Sequence, residues 1–399
     1  MIDGADWLCE KRFGKNLIDK GVDILDPATG TGTFICELLE HFGGQPQKLE
    51  HKYKNELYAN EVAILPYYVA NLNIEATYAA ITGRYEEFPN LCFVDTLDNL
   101  ANEFVPGGMT TNFSIFGGVS EENVVRIKRQ NSRKISVIIG NPPYNANQAN
   151  ENDNNKNREY RQIDARIKQT YIAESTAQKT KGYDMYRRFF RWSSDRLNEN
   201  GIVAFVTNNN FIDAKEADGL RKVIGQEFSE VWVVDLKGNA RTSGERRRKE
   251  GGNVFHDQIR VGVAIWFCVK KKGTNGCKIL YEAVHEYVKA DEKLSFVSSR
   301  PLRDRQFELI KPDANSNWIN LTSNDFDSLM PLASKATKAA NTAVKEGAIF
   351  KLFTNGVNTA RDEWVYDLNG ASLKHKLEFL IRAYNKEFEA TKARGKVDA

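Results

Sequence analysis

The sequence predicts an open α/β fold built on a mostly parallel sheet, and three observations carry that prediction. Four short apolar strands, at 21–25, 57–60, 91–94 and 135–139, each run into a turn before residue 145. After the first two, apolar residues recur at the spacing of an amphipathic helix. Polar residues then cluster where the strands end, at the sheet edge where open α/β folds bind ligands.

Composition bounds the function. With 399 residues, 41% of them hydrophobic and 11% aromatic, the chain can build two domains with cores of their own. A net charge of +3 gives no bulk polycationic character, so any nucleic-acid contact must come from local patches. The five cysteines (Cys9, Cys36, Cys92, Cys268, Cys277) form no CxxC pair, and the five histidines form no HxxxH pair. That spacing argues against a disulfide framework and against a metal site. No apolar run approaches a membrane span and the N-terminus lacks a signal-peptide core, so the cytoplasm is the expected compartment.

In chain order, 1–16 reads as an amphipathic helix with Trp7, Leu8 and Phe13 as candidate buried positions, and 21–25 as a strand. Asp26-Pro27-Ala28-Thr29-Gly30-Thr31-Gly32-Thr33-Phe34 breaks it, and Phe34, Ile35, Leu38, Leu39 and Phe42 open a helix. Strand, glycine turn and helix together form a nucleotide cradle. The acid before the glycines matters more: a carboxylate there repels a pyrophosphate and suits a cationic ligand such as the ammonium and sulfonium of S-adenosyl-L-methionine. Asp26 capping the next helix is the structural alternative.

Residues 43–54 read as a loop before the strand 57–60. Glu61 ends that strand, where an acid binds ribose hydroxyls or else caps the next helix, whose Leu65, Val69 and Leu72 should point inward. The strand 91–94 ends in Asp95-Thr96-Leu97, which could meet the amine and ring of an adenine; Asp95 could equally be a turn residue. Residues 104–129 show no clear core.

After Gly140 comes Asn141-Pro142-Pro143-Tyr144. Each proline fixes its own φ and keeps the residue before it extended. The Asn141 amide oxygen and the Pro142 carbonyl become two fixed acceptors beside the Tyr144 ring. That set suits a planar nitrogen base with an exocyclic amine, and an ordinary turn is the bland alternative.

Further on, 145–157 is an asparagine-rich loop, and 183–197 a helix whose Met185, Phe189, Phe190 and Trp192 are expected in the core. A strand at 201–207 leads to Asn208-Asn209-Asn210. Arg241, Arg246, Arg247, Arg248 and Lys249 lie in a glycine-flanked loop, either as solvated surface or as a clamp on DNA phosphates. An apolar strand follows at 261–269. After 272 the strand–helix rhythm fades, leaving a turn at Asn355-Gly356 and a charged helical end at 373–392.

With the Asp26–Phe34 segment and the Asn141–Tyr144 segment in this order, the chain resembles the amino-methylating DNA methyltransferases, and within them the adenine-N6 enzymes of the Eco57I-like group. The stretches 169–195 and 235–269 resemble the methyltransferase part of single-polypeptide type ISP restriction–modification enzymes. The resemblance covers roughly 15–285. It implies a Rossmann-like methyltransferase sheet, mostly parallel with the last strand antiparallel, in a domain over 1–285. Residues 286–399 would begin a target-recognition region, expected to be incomplete in this chain. Asp26 through Phe34 would hold the methionine part of S-adenosyl-L-methionine, Glu61 its ribose, and Asp95, Thr96 and Leu97 its adenine. Asn141 and the Pro142 carbonyl would bind the amine of an adenine flipped from double-stranded DNA, with Pro143 fixing the turn. Tyr144 would stack on one face of the base, and Phe255 matches the family's aromatic for the other; a core Phe at a hairpin end is the alternative. By the same resemblance, the family's usual segment before the glycine strand would be absent here, through truncation of the chain or with weakened cofactor binding. Restriction helicase and nuclease parts would sit on a longer or separate chain.

Two acceptors on the amine localise its lone pair for in-line attack, so no covalent intermediate is required. C5 methylation would need a cysteine after a proline, and none of the five has one. Methylation of cytosine N4 or of a protein glutamine amide poses the same chemistry and stays open, as does a truncated, non-catalytic DNA-binding remnant.

Overall fold

Apolar runs separated by glycine and asparagine turns fold into alternating strands and helices. The computed structural model describes residues 1–99, 121–144, 159–175, 183–256, 259–321, 329–330, 332, 348–350 and 362–393. Helix α1 (Ile2–Phe13) leads to β1 (Ile24–Asp26), α2 (Thr33–Phe42), α3 (Pro46–Asn55), β2 (Leu57–Glu61), α4 (Ile64–Thr82) and β3 (Leu91–Phe93). Then come α5 (Glu121–Asn131), β4 (Ile135–Gly140), α6 (Arg161–Ile167), α7 (Met185–Arg196), β5 (Leu197–Asn208), α8 (Asn210–Asp213), α9 (Asp218–Glu227) and β6 (Glu230–Asp235). The unit closes with α10 (Gly244–Glu250), β7 (Val263–Lys270), β8 (Lys278–Ala283), α11 (Ala290–Ser298) and β9 (Glu308–Ile310).

The strands form one sheet in the order β3-β2-β1-β4-β5-β7-β6-β8-β9. β3, β2, β1, β4 and β5 are mutually parallel, and β7 enters antiparallel between β5 and β6. Central strands bury both faces, so their residues alternate between two cores. Ile24, Val137, Ile139, Ile202 and Ala204 join the core on one face, while Leu25, Ile138, Val203 and Phe205 join that on the other. On the second face Trp266 is stacked between Phe190 (4.3 Å between ring centroids) and Phe211 (4.2 Å). The aromatics of the 183–197 segment are thus core residues: Phe190 and Trp192 are each 1% exposed.

The structure corrects four expectations. Residues 46–55 are helical, because Leu49 and Tyr53 are buried and the Lys52 ammonium is satisfied inside by Glu56 and the Asp19 and Val22 carbonyls. Charged residues at that spacing had the look of a loop. On α4, Leu65, Val69 and Leu72 face outward and are exposed, while Ala70, Ile74 and Tyr78 face inward. The helix is apolar around its circumference, so spacing alone cannot choose the buried face, and small Ala70 is the residue that lets the glycine turn come close. Residues 121–131 are helical, with Ile127 buried and Asn123 bonded to both backbone groups of Phe93. Past 272 the sheet continues: β8 pairs parallel with β6, and β9 antiparallel with β8. β9 is the short edge strand, and in β8, paired on both sides, only Ile279 is buried, which weakens the apolar signal.

The first compact unit therefore runs to Leu321, past the boundary expected at 285, and the second spans Thr322–Ala399. In the second, the helices Asp362–Val365 and Gly370–Ala393 are joined by Trp364 stacked on Phe379 at 5.4 Å. The 145–157 loop and the Asn355-Gly356 turn lie outside the described residues. Among the described residues no helix is long and apolar enough to cross a membrane.

Candidate functional site

β1 delivers Asp26 to the carboxyl edge of the sheet, where it is wholly buried. Its Oδ1 accepts the Ala28 N–H at 3.0 Å, and its Oδ2 is buried with no partner among the described residues. Burial pushes the carboxyl up to about 7, with the charge of Glu61 adding to the rise and the Ala28 N–H opposing it. The turn beyond it is tied down residue by residue. Thr29 donates its N–H to the Asn60 carbonyl (3.0 Å) and its hydroxyl to the Asp26 carbonyl (3.2 Å). Gly30 and Gly32 take φ of 57° and 92°, a region that side chains disfavour. A Cβ on Gly32 would lie 3.2 Å from Ile74 and 3.3 Å from the Ala70 backbone, so the turn can rest on α4 only as glycine.

Glu61 gathers this turn. One oxygen accepts the Gly30 N–H at 2.8 Å, and the other the N–H groups of Val62 and Ala63 at 2.9 and 2.7 Å. Asp95 accepts Leu97 N–H at 3.1 Å and the Tyr160 hydroxyl at 3.0 Å. Thr96 donates to the Pro27 carbonyl at 2.6 Å and accepts from Asn60 at 3.1 Å, while Gln130 donates to Asn60 at 2.8 Å. Leu97 is 1% exposed, within the core that holds Leu25 and Ile138. Tyr160, Asn60 and Gln130 were missed in the sequence because single polar residues at wide separation leave no pattern.

β4 lies beside β1 and parallel to it, with Leu25 opposite Ile138. The two strand ends therefore meet. A Cβ built on Gly140 would stand 2.9 Å from Asp26 Oδ1, so the residue before Asn141 has no room for a side chain. Asn141 is exposed, Pro142 buried and Tyr144 half-buried. The Tyr144 hydroxyl donates to Asn141 Oδ1 at 2.6 Å, and burial holds that phenol well above its ordinary range. Phe255 faces Tyr144 with ring centroids 6.2 Å apart and planes inclined by 55°. A base stacked on both would require parallel rings about 7 Å apart, two contacts of about 3.5 Å each. As they stand the two rings are inclined rather than parallel, and the Asn141 oxygen is taken by the Tyr144 hydroxyl. The sequence-identified acceptor, its aromatic neighbour and Phe255 are thus brought together, at the same sheet edge as the Asp26 turn.

Phe255 is positioned by Asn253, which accepts its N–H at 2.9 Å and donates to the Gly238 and Val261 carbonyls at 3.1 and 2.8 Å. The arginine run differs from the expected loop: Arg246–Lys249 sit on the short helix α10. Glu245 in its first turn and Arg247, Arg248 and Lys249 in its last complement the helix dipole, while Ser243 at the N-cap makes no side-chain cap bond. Arg246, Arg248 and Lys249 lie near Asp213 (3.3 Å), Glu245 (3.5 Å) and Glu286 (3.4 Å), and Arg247 bonds the Gly251 carbonyl. Arg241 is exposed before the helix. Exposed pairs of this length contribute little and can be exchanged for other anions.

A separate cleft of about 1230 Å³ opens at the ends of β5, β6 and β8, lined by Asn209, Asp235, Lys237, Tyr281 and Trp318 among others. Neither the Asp26 turn nor the Asn141 corner lines it. At its floor Asp235 accepts from Asn209, Tyr281 and the Lys237 N–H, each at 2.9 Å, which joins three strand ends.

Comparison with known proteins gives two family matches. Residues 39–241 match the family described as Eco57I restriction-modification methylase, and residues 348–398 match the Type ISP C-terminal specificity domain. Among solved structures, DrdV in a complex with DNA is 54% identical with a TM-score of 0.85, over 96% of this chain and 36% of its own. LlaGI, a Type ISP restriction-modification enzyme solved as a nuclease-deletion mutant with a DNA substrate mimic, is 36% identical at TM-score 0.85, over 97% of this chain and 31% of its own. The ATP-dependent Type ISP enzyme LlaBIII, bound to DNA, is 34% identical at TM-score 0.85, over 96% of this chain and 26% of its own. The chain thus spans at most 36% of the length of these three. No curated protein matches the sequence.

Proposed function

The chain belongs to the Eco57I restriction-modification methylase family, and from that premise we propose that it methylates the N6 amine of adenine in double-stranded DNA as part of a restriction–modification system. The observation that carries the reading is the meeting of two strand ends. The Asp26 turn and the Asn141 corner lie on adjacent parallel strands, separated only by the missing side chain of Gly140.

When bound, S-adenosyl-L-methionine supplies a methyl group on a cationic sulfonium. The residues fit such a group. The Asp26 oxygen left without a partner wants a cation or a donor, and glycines at positive φ open the backbone to a ligand. Asp26 through Phe34 would hold the methionine end, Glu61 the ribose, and Asp95, Thr96 and Leu97 would border the adenine. Leu97, already packed in the core, would offer only its edge.

On the acceptor side the base has to leave the duplex, at a cost of a few kcal/mol that stacking offsets in part. Tyr144 turns to take one face of the base and Phe255 takes the other. A swing of the whole Tyr144 side chain about its Cα–Cβ bond would withdraw the hydroxyl from Asn141 Oδ1, and that oxygen together with the Pro142 carbonyl would accept the two N–H bonds of the amine. Drawn toward tetrahedral geometry, the nitrogen localises its lone pair for in-line attack. Arg246, Arg248 and Lys249 would exchange exposed carboxylate partners for DNA phosphates, joined by exposed Arg241 and by Arg247, whose side chain bonds the Gly251 carbonyl. Recognition of the target sequence is assigned to the region after Leu321, and cleavage to helicase and nuclease parts on a longer or separate chain, all in the cytoplasm.

The test is incubation with radiolabelled cofactor and mixed-sequence DNA, followed by nucleoside analysis. The expected product is N6-methyladenine, falling by about 10²–10³-fold in Asn141→Ala while cofactor affinity holds. Label at cytosine N4, label on added protein in place of DNA, or full activity in Asn141→Ala would each overturn the reading.

A further inference from the structure

Phe255 lies on an arm, residues 237–256, that leaves the sheet after β6 and returns at β7. Asn253 fixes the neck of this arm through Gly238 and Val261. The middle of the arm is held from elsewhere. α11 carries Lys293, whose side chain is completely buried and whose Nζ donates to the carbonyls of Glu250 (2.8 Å) and Gly252 (2.6 Å). The segment leading into α11 runs along the same stretch: Gly252 N–H bonds the Val288 carbonyl at 3.1 Å, and Tyr287 N–H bonds the Lys249 carbonyl at 3.1 Å. The approach is close enough to demand glycine. A Cβ on Gly251 would run into the Val288 carbonyl oxygen, and one on Gly252 would lie 2.7 Å from the Ala290 nitrogen.

A completely buried ammonium is costly, and an apolar side chain would pack a helix against a loop without that penalty. Two carbonyls of one short stretch are its hydrogen-bonded acceptors, and the stretch ends three residues before Phe255. Around it the charges are mixed: Glu250 and Asp235 favour the cation, whereas Lys237 and Arg247 oppose it, and burial dominates, bringing Lys293 down to about 8. The ammonium is kept there by the arm and in turn fixes where the arm ends.

We infer that Lys293 is a positioning residue of the target-base pocket, clamping the Glu250–Gly252 stretch to α11 so that Phe255 stands opposite Tyr144. This rests on the proposed function for its second half only; the clamp itself is a property of the folded chain. It also assigns a role to a helix beyond the segment in which the methyltransferase motifs lie. A side chain with no motif around it sets the distance between the two stacking rings.

The experiment uses the full chain in four variants: Lys293→Met, which keeps the stem and removes the donor; Lys293→Arg, which restores donors; Gly252→Ala, which pushes the arm off α11 and leaves Lys293 intact; and Phe255→Leu. Amide hydrogen exchange by mass spectrometry reads the clamp without any substrate. Protection over 250–256 should fall at least tenfold in Lys293→Met and in Gly252→Ala, with strands β1, β4 and β5 unchanged, and return in Lys293→Arg. Steady-state methylation reads the pocket. KM for DNA should rise about tenfold in Lys293→Met, as in Phe255→Leu, with kcat and cofactor affinity within about twofold; in the Phe255→Leu background Lys293→Met should add less than about twofold. Should Lys293→Met fail to fold, Gly252→Ala carries both readouts. Unchanged protection overturns the clamp. Lost protection with unchanged KM, or an undiminished effect without Phe255, overturns the link to the pocket. A wild-type chain with intact protection that gives no methylated DNA condemns the functional reading and leaves the clamp supported.

Discussion

On the proposed function, nine consecutive residues, Asp26 through Phe34, would make the donor wall of the site, whereas the acceptor wall would be gathered from 141–144, 253–255 and, through the arm, Lys293. On the donor side the backbone is bonded to Asn60, Glu61, Asn73 and Thr96, and the key carboxyl is sealed from solvent. On the acceptor side Asn141 is exposed and its oxygen is held by the Tyr144 hydroxyl. A small, diffusing cofactor can be met by a preformed cradle. A base that must be pulled from a duplex needs a wall that rearranges, and parts from distant segments allow that.

The strongest way to break this contrast is to damage the one place where the walls touch. Gly140→Ala inserts a methyl group 2.9 Å from Asp26 Oδ1 and displaces both the cradle and the corner. Methyl transfer is expected to fall by about 10²-fold, with cofactor affinity falling too, since misplacement near 1 Å costs that much. Single-turnover kinetics together with calorimetry separate the two losses; a drop confined to either wall would show that they are independent.

How much of this was legible follows from the same contrast. The cradle was readable because its requirements, an acid, two glycines at positive φ and a following helix, fall on adjacent positions. Asn141 was readable because two prolines announce a fixed backbone. The buried face of α4 was not, since Leu65 and Ile74 look alike until something packs on one side. Asn253 and Lys293 were not either: a lone asparagine and a lone lysine in polar surroundings say nothing until the fold brings Gly252 and Gly238 to them. The strands β8 and β9 were lost because most of their residues are only partly buried, so no continuous apolar run marks them.

A second probe sharpens the donor side alone. In the free protein the Asp26 carboxyl sits at about 7 against an ordinary 3.8, so the folded chain retains a proton that the unfolded chain has already lost. That contribution to stability is full below about pH 4 and is lost as pH rises through about 7. A bound cation wants the ionised form, so cofactor affinity should climb over that interval, about tenfold from pH 6 to the plateau above 7, with proton release on binding. Calorimetry in two buffers of different ionisation enthalpy measures it. Asp26→Asn should flatten the profile, and a pH-independent wild type would sever Asp26 from the cofactor.

A third probe tests the rim of the acceptor side. Replacing Arg241, Arg246, Arg247, Arg248 and Lys249 with glutamine should make the log–log salt dependence of DNA binding shallower, by about 0.9 for each phosphate no longer neutralised. Cofactor binding should stay as it was. An unchanged slope in fluorescence anisotropy would mean that these side chains neutralise no phosphate.

The bond from Tyr144 to Asn141 has a consequence for the intervals between turnovers. Two bare carbonyl-type acceptors aimed at a reactive methyl would gather a solvent molecule in the spot reserved for the amine. On the proposed function, the Tyr144 hydroxyl would keep that spot filled with protein until an aromatic base displaced the side chain. The displacement that exposed the acceptor would then report that a flat partner had arrived, and a wasteful transfer to water would lose its foothold.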